Sequence, residues 1–170
     1  MNLIVAVDQC WGIGYKGRLL YSIPEDMQLF KRMTEHKVVV MGLYTFQSLP
    51  GAGPLKNRVN IVLADQPGFT HEGVLVCYSL KQLFKLLDSY ADEDIFVIGG
   101  QMVYELLLDY CSIAYITKVK SIATADRFFP DLDALSHWQL LEQSENKSDA
   151  GLCYGFNTYV NLNRARHDLG

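Results

Sequence analysis

The sequence lacks the features of a nucleic-acid-binding or membrane protein. It has no run of lysine or arginine, and its 15 basic residues are outnumbered by 19 acidic ones, which gives a net charge of −4. This balance argues against a nucleic-acid surface and makes a small molecule the expected partner. The apolar run in residues 1–8 is too short for a membrane span and lacks the basic start of a signal peptide, so we expect a cytoplasmic protein.

Cysteine is also sparse. The four cysteines show no C-x-x-C spacing and lie mostly in apolar runs, so we expect buried free thiols in a reducing compartment and no metal site. What is present is a chain of 170 residues, of which 49% are hydrophobic and 20% charged. That length and composition predict one soluble globular domain.

Short apolar runs alternate with helical patterns along most of the chain. Continuous apolar runs predict strands at residues 3–7, 37–41, 58–63, 74–76, 94–98 and 113–119, the first of them central in the sheet. Helices are predicted from residue 23 and over residues 45–48, 80–87 and 101–110, and β-rich runs at 138–143 and 154–161 predict a hairpin at the sheet edge. The predicted fold is α/β, a mostly parallel sheet with an antiparallel C-terminal hairpin and helices on both faces. One domain is expected over residues 1–162, followed by a frayed polar tail at 163–170.

The helix that begins near residue 23 has a well-marked start. Ser22 followed by Glu25 is a capping-box pattern, and Pro24 falls in the first turn, where its missing N–H has no partner to lose. At 3.6 residues per turn, Asp26 falls on the apolar side of this helix. A carboxylate there should be neutral, paired, or available to a ligand. The alternative is that Asp26 only favours the helix N-terminus through the helix dipole.

Two predicted strands end in glycine and lead directly into a helix. Gly42 follows the strand at 37–41, and Gly99 and Gly100 follow the strand at 94–98. Ligands of open α/β sheets bind beyond the carboxyl ends of the strands, and a helix N-terminus offers N–H groups to a phosphate. These glycines could instead serve backbone geometry alone, and neither turn matches G-x-G-x-x-G, so an ordinary Rossmann site is not indicated. Residues 8–20, which are also glycine-rich, predict a long mobile loop that could cover a ligand.

Two polar residues on predicted strands have two interpretations each. Arg58 opens a strand and could bind a carboxylate, or it could be an ordinary surface arginine. Thr117 lies within a strand, where its hydroxyl could reach a neighbouring side chain or the residue could simply favour β-structure. Spacing alone does not decide between these interpretations.

Taken in order, these segments resemble the dihydrofolate reductase family. The similarity spans about residues 2–160 and rests on AVD at 6–8, GIG at 12–14, IPED at 23–26, FK at 30–31, VMG at 40–42, RVNIVL at 58–63, IGG at 98–100, VYE at 103–105 and FFP at 128–130. Each motif is weak alone, but the order and spacing of the set are specific. The resemblance implies reduction of 7,8-dihydrofolate to 5,6,7,8-tetrahydrofolate, by hydride transfer from NADPH to C6 of the pterin with protonation of N5.

The resemblance also implies roles for individual residues. Asp26, Tyr21 and Thr117 would form the catalytic set, with Asp26 accepting hydrogen bonds from the pterin N3 and 2-amino groups and Thr117 bracing it through water. Arg58 would hold the glutamate α-carboxylate, and residues 11–20 would close over the nicotinamide. The implied substrate-binding set is Ile4, Val5, Ala6, Asp26, Met27, Phe30, Lys31, Leu49, Leu55, Arg58 and Thr117. The implied cofactor-binding set is Ala6, Ile13, Gly14, Leu20, Gly42, Leu43, Tyr44, Thr45, Leu63, Ala64, Asp65, Ile98, Gly99, Gly100, Gln101, Met102, Val103 and Tyr104.

The sequence departs from the family pattern near the proton route and around the adenosine 2′-phosphate. Tyr21 stands where many members carry a tryptophan that positions a water near the proton route. Leu43, Tyr44 and Asp65 stand where the family usually places side chains that bind the adenosine 2′-phosphate. An acidic residue after a strand is suited instead to an unphosphorylated ribose. We therefore hypothesise that the preference for NADPH is relaxed or reversed toward NADH.

Two other functions remain open from the sequence. One is a reductase of the riboflavin-pathway type, which has the same fold and acts on a ribosylaminopyrimidine; Asp26, Phe30 and Arg58 together favour a folate substrate instead. The other is a non-catalytic nucleotide- or pterin-binding module, which the departures at Tyr21 and Leu43 leave open. We expect a monomer whose partner is dihydrofolate, with no nucleic acid and no membrane.

Overall fold

A computed structural model describes residues 1–51, 53–147 and 151–166 of the chain. The strands of these residues are β1 (Asn2–Val7), β2 (Gly12–Tyr15), β3 (Arg18–Leu19), β4 (Val38–Gly42), β5 (Val59–Leu63), β6 (Val74–Cys77), β7 (Ile95–Gly99), β8 (Ile113–Val119), β9 (Arg127–Phe128), β10 (Trp138–Lys147) and β11 (Cys153–Asn161). The helices are α1 (Pro24–Thr34), α2 (Leu43–Gln47), α3 (Leu80–Leu87) and α4 (Gln101–Leu107), with single 3₁₀ turns at Asp92–Asp94, Leu108–Tyr110 and Leu132–Ala134. None of these helices is long and apolar enough to cross a membrane.

Eight of the strands form one sheet in the order β10-β11-β8-β1-β7-β4-β5-β6. The strands from β8 to β6 run parallel, whereas β11 pairs antiparallel with both β8 and β10. The predicted fold is therefore confirmed, including the edge hairpin and the central position of β1. The carboxyl ends of β1, β4 and β7 meet at one edge of the sheet because these strands are parallel neighbours.

Helices cover both faces of this sheet. In β4, Val38 and Val40 belong to the larger buried cluster, which also includes residues of α3 and α4. Val39 and Met41 point to the other face, into a second cluster with Phe46 of α2. This alternation is the reason that the run at 37–41 is apolar throughout rather than at every second residue.

The predicted loop at residues 8–20 is wrong. Residues 12–19 form the hairpin β2–β3, and β9 pairs with β2 to complete a second, three-stranded antiparallel sheet. Gly12 permits the close approach of the segment that precedes β9, because a Cβ atom on Gly12 would lie 2.9 Å from the Cβ of Ala125. Residues 12–17 do fit the spacing G-x-G-x-x-G, but they form a hairpin rather than the strand–turn–helix unit that binds a dinucleotide.

The predicted capping box is also wrong. The N-cap residue of α1 is Ile23, with no side-chain cap, so Ser22 lies outside the helix. Pro24 is the first helical residue and so lies in the first turn, as predicted. Glu25 accepts a hydrogen bond from the hydroxyl of Tyr154 in β11 instead of bonding back to its own helix.

The C-terminal part of the chain differs from the prediction in two respects. Helix α4 ends at Leu107 and a 3₁₀ turn follows, so the predicted helix to residue 110 is too long. The tail is not frayed at residues 163–166, because two hydrogen bonds of 2.7 Å join the Arg164 guanidinium to Asp92. The backbone N–H of Ala165 also donates to the carbonyl of Asp109 at 2.8 Å. Residues 167–170 of the predicted tail lie outside the described residues.

Candidate active site

Asp26 and Thr117 lie in direct contact. The Thr117 hydroxyl in β8 donates to Oδ1 of Asp26 over 2.6 Å, which joins the first turn of α1 to the sheet. Thr117 is 4% exposed and pairs with Ala6 of the central strand β1. The predicted contact of Thr117 with Asp26 through a water is wrong, because a separation of 2.6 Å leaves no room for a water between the two oxygen atoms.

The surroundings of Asp26 favour its protonated form. Burial raises the pKa of Asp26, and the hydrogen bond from Thr117 partly opposes this by stabilising the charged form. Among the residues that the structure describes, no lysine or arginine forms an ion pair with Asp26, and its Oδ2 atom has no hydrogen-bond partner. The side chain is only partly covered. It can therefore bind a ligand that donates hydrogen bonds.

Tyr104 connects α4 to the central strand. Its hydroxyl donates to the backbone carbonyl of Ile4 at 2.9 Å, and its side chain is 3% exposed. Burial, with a smaller contribution from the charge of Asp26, raises the pKa of Tyr104, so the hydroxyl stays protonated and remains a donor. Its ring also packs against Gly99, where a Cβ atom would lie 3.2 Å from the ring.

The two glycine turns face each other at the carboxyl ends of β4 and β7. A Cβ atom on Gly42 would lie 3.1 Å from Val103, and one on Gly100 would lie 3.0 Å from the Thr45 hydroxyl. Gly99 has φ of +119°, which an L side chain rarely adopts. Both α2 and α4 begin without a side-chain cap, so the first N–H groups of each helix are left for solvent or a ligand.

The side chains near these turns divide into buried and exposed groups. Leu43 is 2% exposed and packs in the second apolar cluster, so it can reach a ligand only through its backbone. Val103 and Ala64 are buried in the same way. Tyr44 is 68% exposed and Met102 54% exposed, and each is the second residue of its helix. Leu63 is the last residue of β5, Asp65 lies two residues after it, and Ile98 is the last residue but one of β7. Of these three residues, only Asp65 is exposed.

Arg58 lies at the other end of α1. Its Nε atom donates to the Thr34 hydroxyl at 2.9 Å, and Nη1 donates to the Lys56 carbonyl at 2.7 Å. The guanidinium carbon is 5.9 Å from the centre of the Phe30 ring. Burial lowers the pKa of Arg58, and Glu35 opposes this, so a positive charge is held at a partly buried position. No hydrogen bond joins its Nη2 atom to any residue in the described ranges, which leaves that edge for a carboxylate.

Several residues in these contacts were not predicted. Thr34 is completely buried, and its hydroxyl bonds to the Phe30 carbonyl as well as to Arg58; no sequence pattern singles it out. Asn60 holds Leu55 by two hydrogen bonds of 2.9 Å between its amide and the Leu55 backbone. Here a signal was present, because Asn60 is a polar residue inside an otherwise apolar strand.

The remaining predicted substrate-site residues differ in how far the protein covers them. Leu49 and Leu55 are half-buried against the second apolar cluster. Met27 is half-exposed and Lys31 exposed, so the apolar side of α1 is less covered than its pattern indicates. Val5 and Ala6, on the central strand, are partly exposed at its carboxyl end.

Two carboxylates anchor the hairpin β2–β3, one before the start of β2 and one at the tip. Asp8 is 1% exposed and accepts hydrogen bonds from the backbone N–H groups of Cys10, Gly12 and Ala123, at 2.9, 2.8 and 3.0 Å. Asp126 accepts one from the Lys16 N–H at 3.0 Å. Within the hairpin, Ile13 and Gly14 are buried; Leu20, just after it, is partly exposed. The hairpin is therefore held by specific contacts, which the glycine content alone did not reveal.

Tyr21 has an unusual environment for its hydroxyl. The side chain packs against a small apolar cluster of Ile23, Val119 and Tyr154. Its oxygen is buried and makes no hydrogen bond with any residue that the structure describes. A buried hydroxyl without a partner is destabilising, so this atom is available to a ligand or an ordered water.

The fold and this site define a class of protein: an α/β enzyme scaffold with a partly covered carboxyl of raised pKa bonded to its sheet and two facing glycine turns at the carboxyl edge of that sheet. Comparison with known proteins identifies the family. A family model described as dihydrofolate reductase matches residues 1–163. The chain belongs to the dihydrofolate reductase family.

Individual relatives agree with this assignment. The chain is 34% identical over 149 residues to a dihydrofolate reductase of Bacillus subtilis, covering 88% of this chain and 86% of that protein. It is 32% identical over 178 residues to a bifunctional dihydrofolate reductase-thymidylate synthase of Glycine max, covering 95% of this chain but only 33% of that longer protein. Among solved structures, a dihydrofolate reductase from Enterococcus faecalis complexed with NADP(H) and RAB-propyl is similar, with a TM-score of 0.84, 33% identity, and coverage of 94% of this chain and 95% of that one. None of these findings favours a riboflavin-pathway reductase.

Proposed function

We propose that this protein reduces 7,8-dihydrofolate to 5,6,7,8-tetrahydrofolate with NADPH. The observation that supports this most directly is Asp26, a half-buried carboxyl of raised pKa whose only hydrogen-bond partner in the described chain is the Thr117 hydroxyl. Such a group is suited to a flat, polar heterocycle that donates hydrogen bonds. Family membership gives that heterocycle an identity, the pterin ring of dihydrofolate.

The proposed substrate lies along α1. Asp26, through its free Oδ2 and its Oδ1, accepts hydrogen bonds from the N3 and 2-amino groups of the pterin. Arg58 is anchored on Thr34, which lies eight residues after Asp26 in α1. At 1.5 Å per residue, Asp26 and Thr34 are about 12 Å apart along the helix axis. The free edge of its guanidinium takes the glutamate carboxylate. Phe30, Met27, Leu49 and Leu55 pack against the rings between these two polar ends.

Protonation of the substrate is the chemical step to which this chain contributes directly. When bound, the nicotinamide supplies the hydride for C6 of the pterin. Asp26 orients the ring, and the negative charge of its ionised form, which accepts the hydrogen bonds from the ring, favours the protonated form of the bound pterin. We assign to Tyr21 a place on the proton route to N5, because its buried hydroxyl lacks a protein partner among the described residues.

The cofactor is proposed to lie across the two glycine turns. Their close approach, and the absence of side-chain caps at α2 and α4, leave backbone N–H groups for its phosphates. Tyr104, Thr45 and the backbone of Leu43 border this position, and the hairpin β2–β3 covers the nicotinamide end and excludes water.

The adenosine end lacks the expected basic side chains. Leu43 is directed into the core, Tyr44 is exposed, and Asp65 places a negative charge after β5. Each charge-assisted hydrogen bond missing at a 2′-phosphate weakens binding by about 1.5–3 kcal/mol. We therefore propose that the protein accepts NADH more readily than a member of the family with those basic side chains.

The charge of the chain indicates its cellular setting. We expect a cytoplasmic monomer that does not bind nucleic acid, in keeping with the net charge of −4 and the absence of a basic run. Size-exclusion chromatography with light scattering tests the oligomeric state.

The function is tested by following NADPH and NADH absorbance after adding dihydrofolate. We expect dihydrofolate-dependent oxidation, and a kcat/KM reduced roughly 10²–10³-fold in Asp26→Asn, because the variant cannot hold a proton or a negative charge at this position. Glu93→Gln is the matched control, since it removes a carboxylate from an exposed position before the amino end of β7, at the end of that strand opposite the glycine turn. Binding of dihydrofolate without oxidation of either nicotinamide would overturn the proposal in favour of a non-catalytic module.

A further inference from the structure

The side-chain amide of Gln101 is bonded to other protein groups through both its oxygen and its nitrogen. It is the first residue of α4, directly after Gly100. Its Oε1 atom accepts a hydrogen bond from the backbone N–H of Phe128 at 2.9 Å, and its Nε2 atom donates to Glu105 at 2.8 Å. The amide therefore bridges the start of α4 and strand β9, which is 27 residues away in sequence.

Strand β9 connects this bridge to the covering hairpin. Phe128 pairs with Gly12, and Arg127 with Gly14, so β9 is the neighbour of β2 in the small sheet. The next residue, Phe129, donates its N–H to the Trp11 carbonyl at 2.8 Å. Strand β9 would therefore transmit a displacement of the Gln101 amide to the hairpin β2–β3.

The bridge lies in a position where it contributes little to overall stability. Phe128 is 41% exposed, and the contact between Gln101 and Phe128 is accessible to solvent. Solvent competes for such a hydrogen bond, so its main effect is on where β9 and the hairpin lie relative to α4. Glu105 fixes the rotamer by holding the other end of the amide.

We propose that Gln101 is a positioning residue that couples cofactor binding at the Gly99–Gly100 turn to closure of the hairpin β2–β3. The inference rests on the proposed function, in which the cofactor occupies that turn. A bound cofactor fixes the start of α4, the Gln101 amide fixes β9, and β9 holds β2 through the ladder. Coupling through one such bond is expected to change hairpin opening about 2- to 10-fold.

Trypsin cleavage within the hairpin measures its opening. Lys16 and Arg18 are exposed, and they flank Gly17 at the tip. Cleavage there requires the hairpin to unpair locally, since the Lys16 N–H is bonded to Asp126. We expect saturating NADPH to slow cleavage of the wild-type protein at this tip. Saturation in every sample separates coupling from any change in cofactor affinity.

Two variants test the bridge. Gln101→Met has a similar length but no acceptor, and we expect it to lose most of the NADPH protection, with cleavage at the tip about 2- to 10-fold faster than wild type at saturation. The double variant Gln101→Glu with Glu105→Gln reverses the polarity of the side-chain pair and keeps an acceptor for the Phe128 N–H. We expect it to restore protection.

The outcomes separate this proposal from the proposed function. Equal protection of wild type and Gln101→Met at saturating NADPH overturns the coupling, as does a wild-type hairpin that NADPH does not protect, even if dihydrofolate is reduced normally. Failure of turnover with intact NADPH protection would count against the reductase assignment and leave the coupling standing. A fall in melting temperature alone, without a change in NADPH protection, would show that the bridge is only structural and would overturn the proposal.

Discussion

The hydroxyl of Thr117 lies 2.6 Å from Oδ1 of Asp26 and is the point at which α1 is joined to the central part of the sheet. The two residues are 91 positions apart in sequence. The pair combines two opposing effects on one carboxyl, because burial disfavours its charged form while the hydrogen bond favours it. A substitution of either Asp26 or Thr117 should therefore change how this site titrates.

Removing the hydroxyl should raise the pKa of Asp26 further. In Thr117→Val the shape is kept but the donor that stabilises the carboxylate is lost, so the carboxyl ¹³C titration of Asp26 is expected to move to higher pH, and kcat/KM to decrease. Thr117→Ser retains a hydroxyl and is the control. An unchanged titration in Thr117→Val would show that the hydrogen bond does not act on the charged form.

The carboxyl of Asp26 should reduce stability at neutral pH. Because its folded pKa is raised above the unfolded value, the folded state binds the proton more tightly, and stability decreases as the pH rises through the interval between the two values. Asp26→Asn is therefore expected to unfold at higher urea concentration than wild type at pH 7, with the difference shrinking as the pH is lowered. A variant that is less stable than wild type at pH 7 would contradict this.

The hydroxyl of Tyr21 should be unfavourable for folding and useful for turnover. Tyr21→Phe removes a buried oxygen that has no partner in the described chain, so the free energy of unfolding should rise by about 1 kcal/mol while kcat falls. Tyr154→Phe is the contrast, because that hydroxyl bonds to Glu25 and its loss should destabilise the protein by about 1–2 kcal/mol. Unchanged kcat in Tyr21→Phe would remove Tyr21 from the proton route.

Cofactor preference should respond to charge at the exposed position 44. Tyr44→Arg introduces a phosphate-binding group without disturbing the core, since Tyr44 is 68% exposed, and the ratio of kcat/KM for NADPH over NADH should rise about 10-fold or more. Tyr44→Gln serves as an uncharged control. A wild-type protein that already favours NADPH by a large factor would rule out relaxed preference.

Loss of the Asp8 carboxylate should loosen the base of the hairpin. Asn at this position replaces one acceptor oxygen by an amino group that faces a backbone N–H, so Asp8→Asn should lower the free energy of unfolding by about 2–3 kcal/mol, measured by urea denaturation. Asp126→Asn, whose carboxylate accepts only the Lys16 N–H among the described residues and is exposed, should cost less than about 1.5 kcal/mol. Equal effects of the two variants would argue against the special role of Asp8.

Prediction from sequence worked best where burial imposes a simple pattern. Strands covered on both faces, such as β1 and β4, carry continuous apolar runs, and the glycine turns after β4 and β7 lie where the sequence placed them. It failed for residues 8–20, because strands of two to four residues are too short for a periodic pattern, and for the helix start, because Tyr154 binds Glu25 in place of the capping box.

By itself the sequence determined the order of the helices and of the strands of the main sheet, the fold class, and the presence of a carboxylate, an arginine and two glycine turns at specific positions along the chain. Only the tertiary structure decided that Thr117 contacts Asp26 directly, that Thr34 anchors Arg58, and that Gln101 reaches strand β9. Burial leaves a local pattern of apolar residues that can be recognised in one segment. A hydrogen bond between distant segments leaves none, because its geometry depends on how the whole sheet and its helices pack.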